Sequence, residues 1–209
     1  GGGSPPRRRL PSLRRRLWPF LPGATLPGLL RRRPERRDGL THSFDMLGEG
    51  AMTMADAERY RISYAEALDR LAAEADGTVE GSPGISVKLS ALYPKYDFFH
   101  AEAARAFLVP VIRGLAVKAR DANIHFTIDA EEAERLEVSL DIIEELAADD
   151  ALFRRADGSD WNGFGLAIQA YQKRGVPLCD WTAKLARRHG RKLFVRLVKG
   201  AYWDTEVKL

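Results

Sequence analysis

The chain reads as an α/β protein, and more narrowly as part of a (β/α)8 barrel in which about five of the eight β/α units are visible. Three observations carry this expectation. Strand-like and helix-like segments alternate from Ser43 onward, which implies a parallel sheet covered by helices. Polar residues with chemical potential fall at the C-terminal ends of several different strands, as in a barrel enzyme. The first strand is followed by "LGEGAMT", which lacks the G-x-G-x-x-G spacing of a doubly wound dinucleotide fold.

The elements follow in order. "SFDMLGEGAMT" (43–53) is a short apolar run that contains Asp45 and Gly48-Glu49-Gly50. Thr53 with Asp56 three residues later forms a capping box. Tyr60, Tyr64, Ala67, Leu68 and Leu71 then recur at helical spacing. "ISVKLSAL" (85–92) alternates apolar residues with Ser86, Lys88 and Ser90, a strand with a polar face. A long helix follows, in which Pro110 predicts a kink or a division. Residues 124–128 predict a strand closed by Asp129, and 131–147 one helix or two. "FGLAIQAY" (164–171) is the fourth strand, with Gln169 near its end. The next helix has Asp180 as its expected N-cap and Gly190 as its stop. "LFVRLVKGAYWD" (193–204) opens as a plain buried strand, but Arg196 interrupts it and Lys199, Gly200, Tyr202 and Trp203 close it.

Charge divides the chain into two segments. Residues 1–40 hold 11 arginines against Glu35 and Asp38, a net of +9, so the remainder of this +4 chain is at −5. Residues 1–38 are a basic Arg/Pro-rich segment, read as a disordered tail or as the product of a misread frame, and 39–209 as the barrel part. A nucleic-acid or anionic-membrane reading would rest on that head alone. Cys179 is the only cysteine, so no intrachain disulfide forms. The four histidines lack metal-ligand spacing, and no run reaches the roughly 18 apolar residues of a membrane span. A start on Gly and a close just after an amphipathic stretch begins read as those of a fragment.

Each candidate side chain has a plain structural reading beside its chemical one. Arg196, amid apolar neighbours, needs an anionic partner: Asp129 or Glu131 across the sheet, or a ligand. Lys88 faces solvent, or in a barrel meets a substrate carboxylate. Gln169 is a satisfied core amide or a partner for an imide-like ring edge. Gly200 allows close approach of a planar ligand. Tyr202 and Trp203 are stacking rings or core, and the acids of "DAEE" (129–132) suit a helix dipole. No activated nucleophile, His base or metal set accompanies them, which points to an organic cofactor carrying the chemistry.

The phrases "GISVKLSALYPKY", "IDAEEAERLEVSLDIIEEL", "WNGFGLAIQAYQKR" and "RLVKGAYWDTEVKL" strongly resemble the proline dehydrogenase domain of the bacterial bifunctional proline utilization A flavoenzymes. The resemblance covers about residues 40–209 in order, with "SFDMLGEGAMT" as the first barrel strand. It implies a distorted (β/α)8 barrel holding FAD, oxidation of L-proline to Δ1-pyrroline-5-carboxylate, and transfer of electrons to a quinone. The full-length protein would be cytoplasmic and peripheral to the inner membrane. By the same resemblance Lys88 binds the proline carboxylate, Asp129 orders the cationic cluster, and Arg196 reaches the flavin near its reactive nitrogen. Ala130 and Gln169 touch the flavin, while Val198, Lys199, Gly200 and Ala201 line it. Tyr202 and Trp203 pack at the proline and flavin edges, and Asp45 is a weaker candidate for the substrate pocket. The family's later strands, its paired arginines and its aldehyde dehydrogenase domain lie beyond Leu209. The basic head does not match the DNA-binding ribbon-helix-helix of some members. A basic-headed binding module and another (β/α)8 enzyme using Lys88 as a Schiff base are the competing readings.

Overall fold

The computed structural model describes residues 41–46 and 50–206; the basic segment 1–38 and Gly48-Glu49 lie outside them. The compact unit Ser43–Leu209 holds a five-stranded sheet, β1 (Ser43–Asp45), β2 (Gly84–Val87), β3 (Phe126–Ile128), β4 (Phe164–Gln169) and β5 (Phe194–Val198). All four pairings are parallel and the order is consecutive, β1-β2-β3-β4-β5. A doubly wound sheet reverses direction at a switch point. This one does not, so it is a barrel wall.

Register sorts the side chains into two faces. Phe44, Ile85, Phe126 and Phe164 share one row, and Val87, Ile128 and Leu166 another. Those rows are buried, against helices α1 (Met54–Ala72), α2 (Ala101–Asp121), α3 (Leu136–Ala147) and α5 (Gly175–His189). The alternate row runs Asp45, Ser86, Thr127, Gly165, Phe194, and its continuation carries Lys88, Asp129, Ala167 and Arg196. Apolar residues thus face the helices, and, Phe194 apart, small, polar or charged ones face the interior of the barrel.

The helices follow local rules with two departures. α1 starts at the expected capping box: Asp56 N–H donates to Thr53 Oγ1 at 3.1 Å and Thr53 N–H to the Asp56 carboxylate at 2.8 Å. Pro110 does not divide α2, which runs unbroken over Ala101–Asp121. Pro110 and Ala106 both lie on the exposed side, so the carbonyl that loses its partner there faces water. The buried stripe Ala104, Leu108, Ile112, Leu115 and Ala119 is opposite. Asp180 is not the cap of α5, because the helix begins at Gly175 and Asp180 lies inside it. Pro177 falls in the first turn, where its missing N–H costs nothing. Gly190 ends the helix with φ +62°, as expected.

The strands are shorter than the sequence suggests. β2 stops at Val87, and Leu89–Ala91 form a 3-10 turn directly after Lys88. β3 spans Phe126–Ile128 and β4 ends at Gln169. β5 is not a plain buried strand: Val195 and Leu197 are 46% and 69% exposed, while Phe194, Arg196 and Val198 are half-buried. It is the last strand in the sheet order, so its outer face lacks the cover that β2 to β4 have. α4 (Asp150–Phe153) and α6 (Trp203–Glu206) are single turns.

Candidate active site

Four ionic side chains meet on the interior face at the C-terminal ends of the strands. Lys88 Nζ donates to both oxygens of Asp45, at 2.9 and 2.8 Å, and to Asp129 Oδ2 at 3.1 Å. Arg196 lies 3.6 Å from Asp129 Oδ1 and 3.4 Å from Thr127 Oγ1. The side chains of Lys88, Asp129 and Arg196 are only 11–13% exposed. Of the two partners open to Arg196, the structure selects Asp129.

The backbone sets this geometry. Lys88 comes off β2 in extended conformation as the chain turns into the 3-10 segment. Its N–H donates to the hydroxyl of Tyr64, a fully buried residue of α1, at 3.2 Å. Asp129 N–H donates to Val87 O at 2.9 Å, so the β2 and β3 ends stay in register up to the acid.

Burial and mutual charge set the protonation states. Burial opposes the charge on Lys88, but the Asp129 and Asp45 carboxylates outweigh it and hold the ammonium above the usual lysine range. Burial lifts Asp45 above the usual carboxylate range despite its bonds to Lys88. Burial lowers Arg196, with Asp129 and Asp45 opposing. A Schiff-base lysine needs its free amine, so a lysine held cationic by two carboxylates is poorly placed for that chemistry.

A second cluster adjoins the first in sequence and includes one ion pair, Glu131 with Arg135. Gln169 is 4% exposed; its Nε2 donates to Glu131 O at 2.9 Å and its Oε1 accepts from Ala201 N–H at 3.1 Å. Glu131, with its side chain 3% exposed, accepts from Ser90 N–H at 3.1 Å and pairs with Arg135 at 3.4 Å. Ala130 lines a narrow cleft with Glu131, Arg135 and Gln169. Ala170 and Tyr171 N–H groups extend the β4–β5 ladder onto Val198 O and Lys199 O, at 2.8 and 3.2 Å.

The rim after β5 has a close internal contact at Gly200. Its φ is +126°, and a Cβ there would sit 1.8 Å from Tyr171 Cδ1. The close approach that demands glycine is therefore that of the Tyr171 ring. Trp203 is 52% exposed and edge-on to Tyr171, with centroids 5.8 Å apart. Tyr202 is half-buried and the Lys199 side chain exposed. Glu206, on α6, bonds the Tyr171 hydroxyl, Gln172 Nε2 at 3.2 Å and Ala133 N–H at 2.6 Å. Sequence reasoning did not anticipate Tyr64, Ser90 or Glu206. Tyr64 carried only a helical-spacing signal for core, and nothing in that pattern reports where a hydroxyl reaches. Among the described residues, no group of His, Cys, Asp and Glu could hold a metal ion, and no helix is long and apolar enough to cross a membrane.

A family model described as proline dehydrogenase matches residues 29–209. The chain belongs to the proline dehydrogenase family. The match begins ten residues before the boundary expected at residue 39. The bifunctional protein PutA of Salmonella typhimurium is 44% identical over 192 residues, covering 90% of this chain and 14% of that protein. PutA of Rhizobium meliloti is 45% identical over 191 residues, again 90% of this chain and 15% of that one. The chain thus spans about one-seventh of the length of these relatives. A crystal structure of a variant of Bradyrhizobium japonicum proline utilization A superposes with TM-score 0.74 at 51% identity, over 80% of this chain and 17% of that one. Proline utilization A from Bdellovibrio bacteriovorus, inactivated by N-propargylglycine, gives TM-score 0.75 at 25% identity, over 87% and 20%. The proline dehydrogenase fold in these relatives accounts for the curled, half-barrel arrangement of five parallel strands.

Proposed function

We propose that this chain forms the N-terminal part of an FAD-dependent proline dehydrogenase site, which oxidises L-proline to Δ1-pyrroline-5-carboxylate and passes the electrons to a quinone. The observation that carries this reading is the buried quartet Asp45, Lys88, Asp129 and Arg196. Two cations and two carboxylates balance, so the site suits a substrate that is itself a zwitterion. The carboxylate of proline would take a donor of Lys88 from the chelating Asp45, and its ammonium would face the carboxylates. Asp129, hydrogen-bonded to Lys88 and ion-paired with Arg196, holds the two cations at a fixed spacing.

The donor set fits FAD in part. Arg196 presents a nearly buried cation on the interior face, which favours an electron-rich ring in a dry site. Gln169 keeps one N–H and one lone pair beyond its two internal bonds. Ala130, Val198, Lys199, Gly200, Ala201 and Trp203 would hold the remainder of the cofactor, with Tyr202 at the substrate edge. When bound, the flavin supplies the acceptor for the hydride that proline loses. The residues of this chain bind and orient the substrate and keep Lys88 protonated.

The family resemblance supports the quinone acceptor, and a cytoplasmic protein peripheral to the inner membrane. The open β5 edge and the exposed Val195 and Leu197 support a further element of the proposal: the 209-residue chain alone neither holds FAD tightly nor turns over proline. The test is a chimera in which residues 39–209 replace the matching segment of the Salmonella protein. A flavin spectrum with proline-dependent quinone reduction is the expected outcome. A folded chimera that binds flavin but leaves it unreduced by proline would overturn the proposal.

A further inference from the structure

A run of hydrogen bonds links the C-terminal ends of all five strands, and Glu131 stands at its centre. Gly50 N–H donates to Ser90 Oγ at 3.3 Å and Ala51 N–H to Ser90 O at 2.9 Å, joining the β1 loop to the β2 turn. Ser90 N–H donates to Glu131 Oε1 at 3.1 Å, joining that turn to the β3 loop. The Glu131 carbonyl accepts from Gln169 of β4 at 2.9 Å, and Gln169 accepts from Ala201 of the β5 loop at 3.1 Å. Ser90 is two residues from Lys88, and Glu131 two residues from Asp129.

A carboxylate is an expensive group for this place. Glu131 is all but inaccessible, and its compensation is Ser90, through its hydroxyl and its backbone N–H, with an Arg135 contact at 3.4 Å. Leu or Met would fill the space at lower cost, but neither accepts the Ser90 N–H. The reach of the side chain is therefore what the position uses.

We infer that Glu131 is a positioning residue, whose side-chain length sets the distance between the β2 turn and the β3 loop and thereby the spacing of Lys88 and Asp129. The inference rests on the active-site reading above for its functional meaning, but its test needs neither flavin nor proline. The variants Glu131→Asp and Glu131→Gln separate length from charge. Asp keeps the charge and falls one methylene short of Ser90; Gln keeps the length and an acceptor oxygen.

Amide hydrogen exchange of the 209-residue chain, with the exposed Glu134→Ala as control, reads the outcome. Glu131→Asp raises exchange at Ala51, Ser90 and Ala201 by about fivefold to tenfold, the loss of one hydrogen bond propagated along the run. It also shifts the Nζ resonance of Lys88, which senses Asp45 and Asp129. Glu131→Gln restores both toward the parent, and Glu134→Ala changes neither. The reverse pattern, with Asp silent and Gln disruptive, would show a charge requirement and overturn the inference, as would exchange that rises at Ser90 alone. Should Glu131→Asp fail to fold, Gln169→Met tests the next link: exchange rises at Ala201 while Ser90 stays protected, and unchanged protection at Ala201 again counts against the run.

Discussion

The interior rim is held in two different ways. In the quartet, Lys88 and Arg196 are tied to Asp45 and Asp129 by charge, at 2.8 to 3.6 Å. In the neighbouring run, Ser90, Glu131, Gln169 and Ala201 are tied through backbone N–H and C=O groups at 2.9 to 3.1 Å. Gln169 and Glu131 are more deeply buried than the quartet. The difference separates what can exchange partners from what cannot. An ammonium shared by two carboxylates can yield a donor to a ligand and stay paired. The Ser90 amide, bonded inside a buried turn, has no second partner to turn to. The charged group is where a substrate would bind, and the hydrogen-bonded run is what keeps that group in place.

The largest expected effect breaks the charged group. Lys88→Met removes the cation that Asp45 and Asp129 share, leaving Asp45 without its chelated ammonium and Asp129 with Arg196 alone. The expected loss is about 3–5 kcal/mol, the cost of breaking a buried pair from one side, read by urea unfolding. A loss under about 1 kcal/mol would mean that the quartet behaves as a surface ion pair. Breaking the second cluster should cost less. Gln169→Leu leaves the buried Glu131 carbonyl without its partner, at about 1–3 kcal/mol, while Ala201 is an exposed residue whose N–H can turn to water. Equal losses for the two variants would dissolve the distinction.

The sheet was readable because its signal is periodic. Alternation located the strands, and the polar residue at each strand end marked the rim, so Asp45, Lys88, Asp129 and Arg196 were all named and are all found together. Choice among near neighbours was not readable. Asp129 and Glu131 are two residues apart in one loop, and only the registers of β3 on β4 and of β4 on β5 decide that the first meets Arg196. The packing of Tyr171 on Gly200 was not readable, because no local pattern reveals it. The start of α5 was misplaced because Asp180 offered a cap signal while Pro177 offered the true one. In β5, "LFV" has the composition of a buried strand, but exposure depends on what covers a face, which composition does not encode.

The smallest expected effect is a pH dependence that sharpens the comparison from inside the hydrogen-bonded run. Burial raises the Glu131 carboxyl above its ordinary 4.5, with Ser90 and Arg135 only partly opposing. A folded-state value above the unfolded one means that the folded protein takes up the proton first. The associated stability is fully present below the unfolded value and is lost as pH rises through the folded one. Glu131→Gln does not titrate, so the melting temperature of the parent minus that of the variant should grow as pH falls from 7 toward 4.5. Other carboxylates, Asp45 among them, titrate in both proteins and largely cancel in the difference. A difference that shrinks as pH falls would mean that Glu131 is stabilised as an anion. It would then belong with the quartet, as a charge held by charge, rather than with the neutral bonds that link the loops.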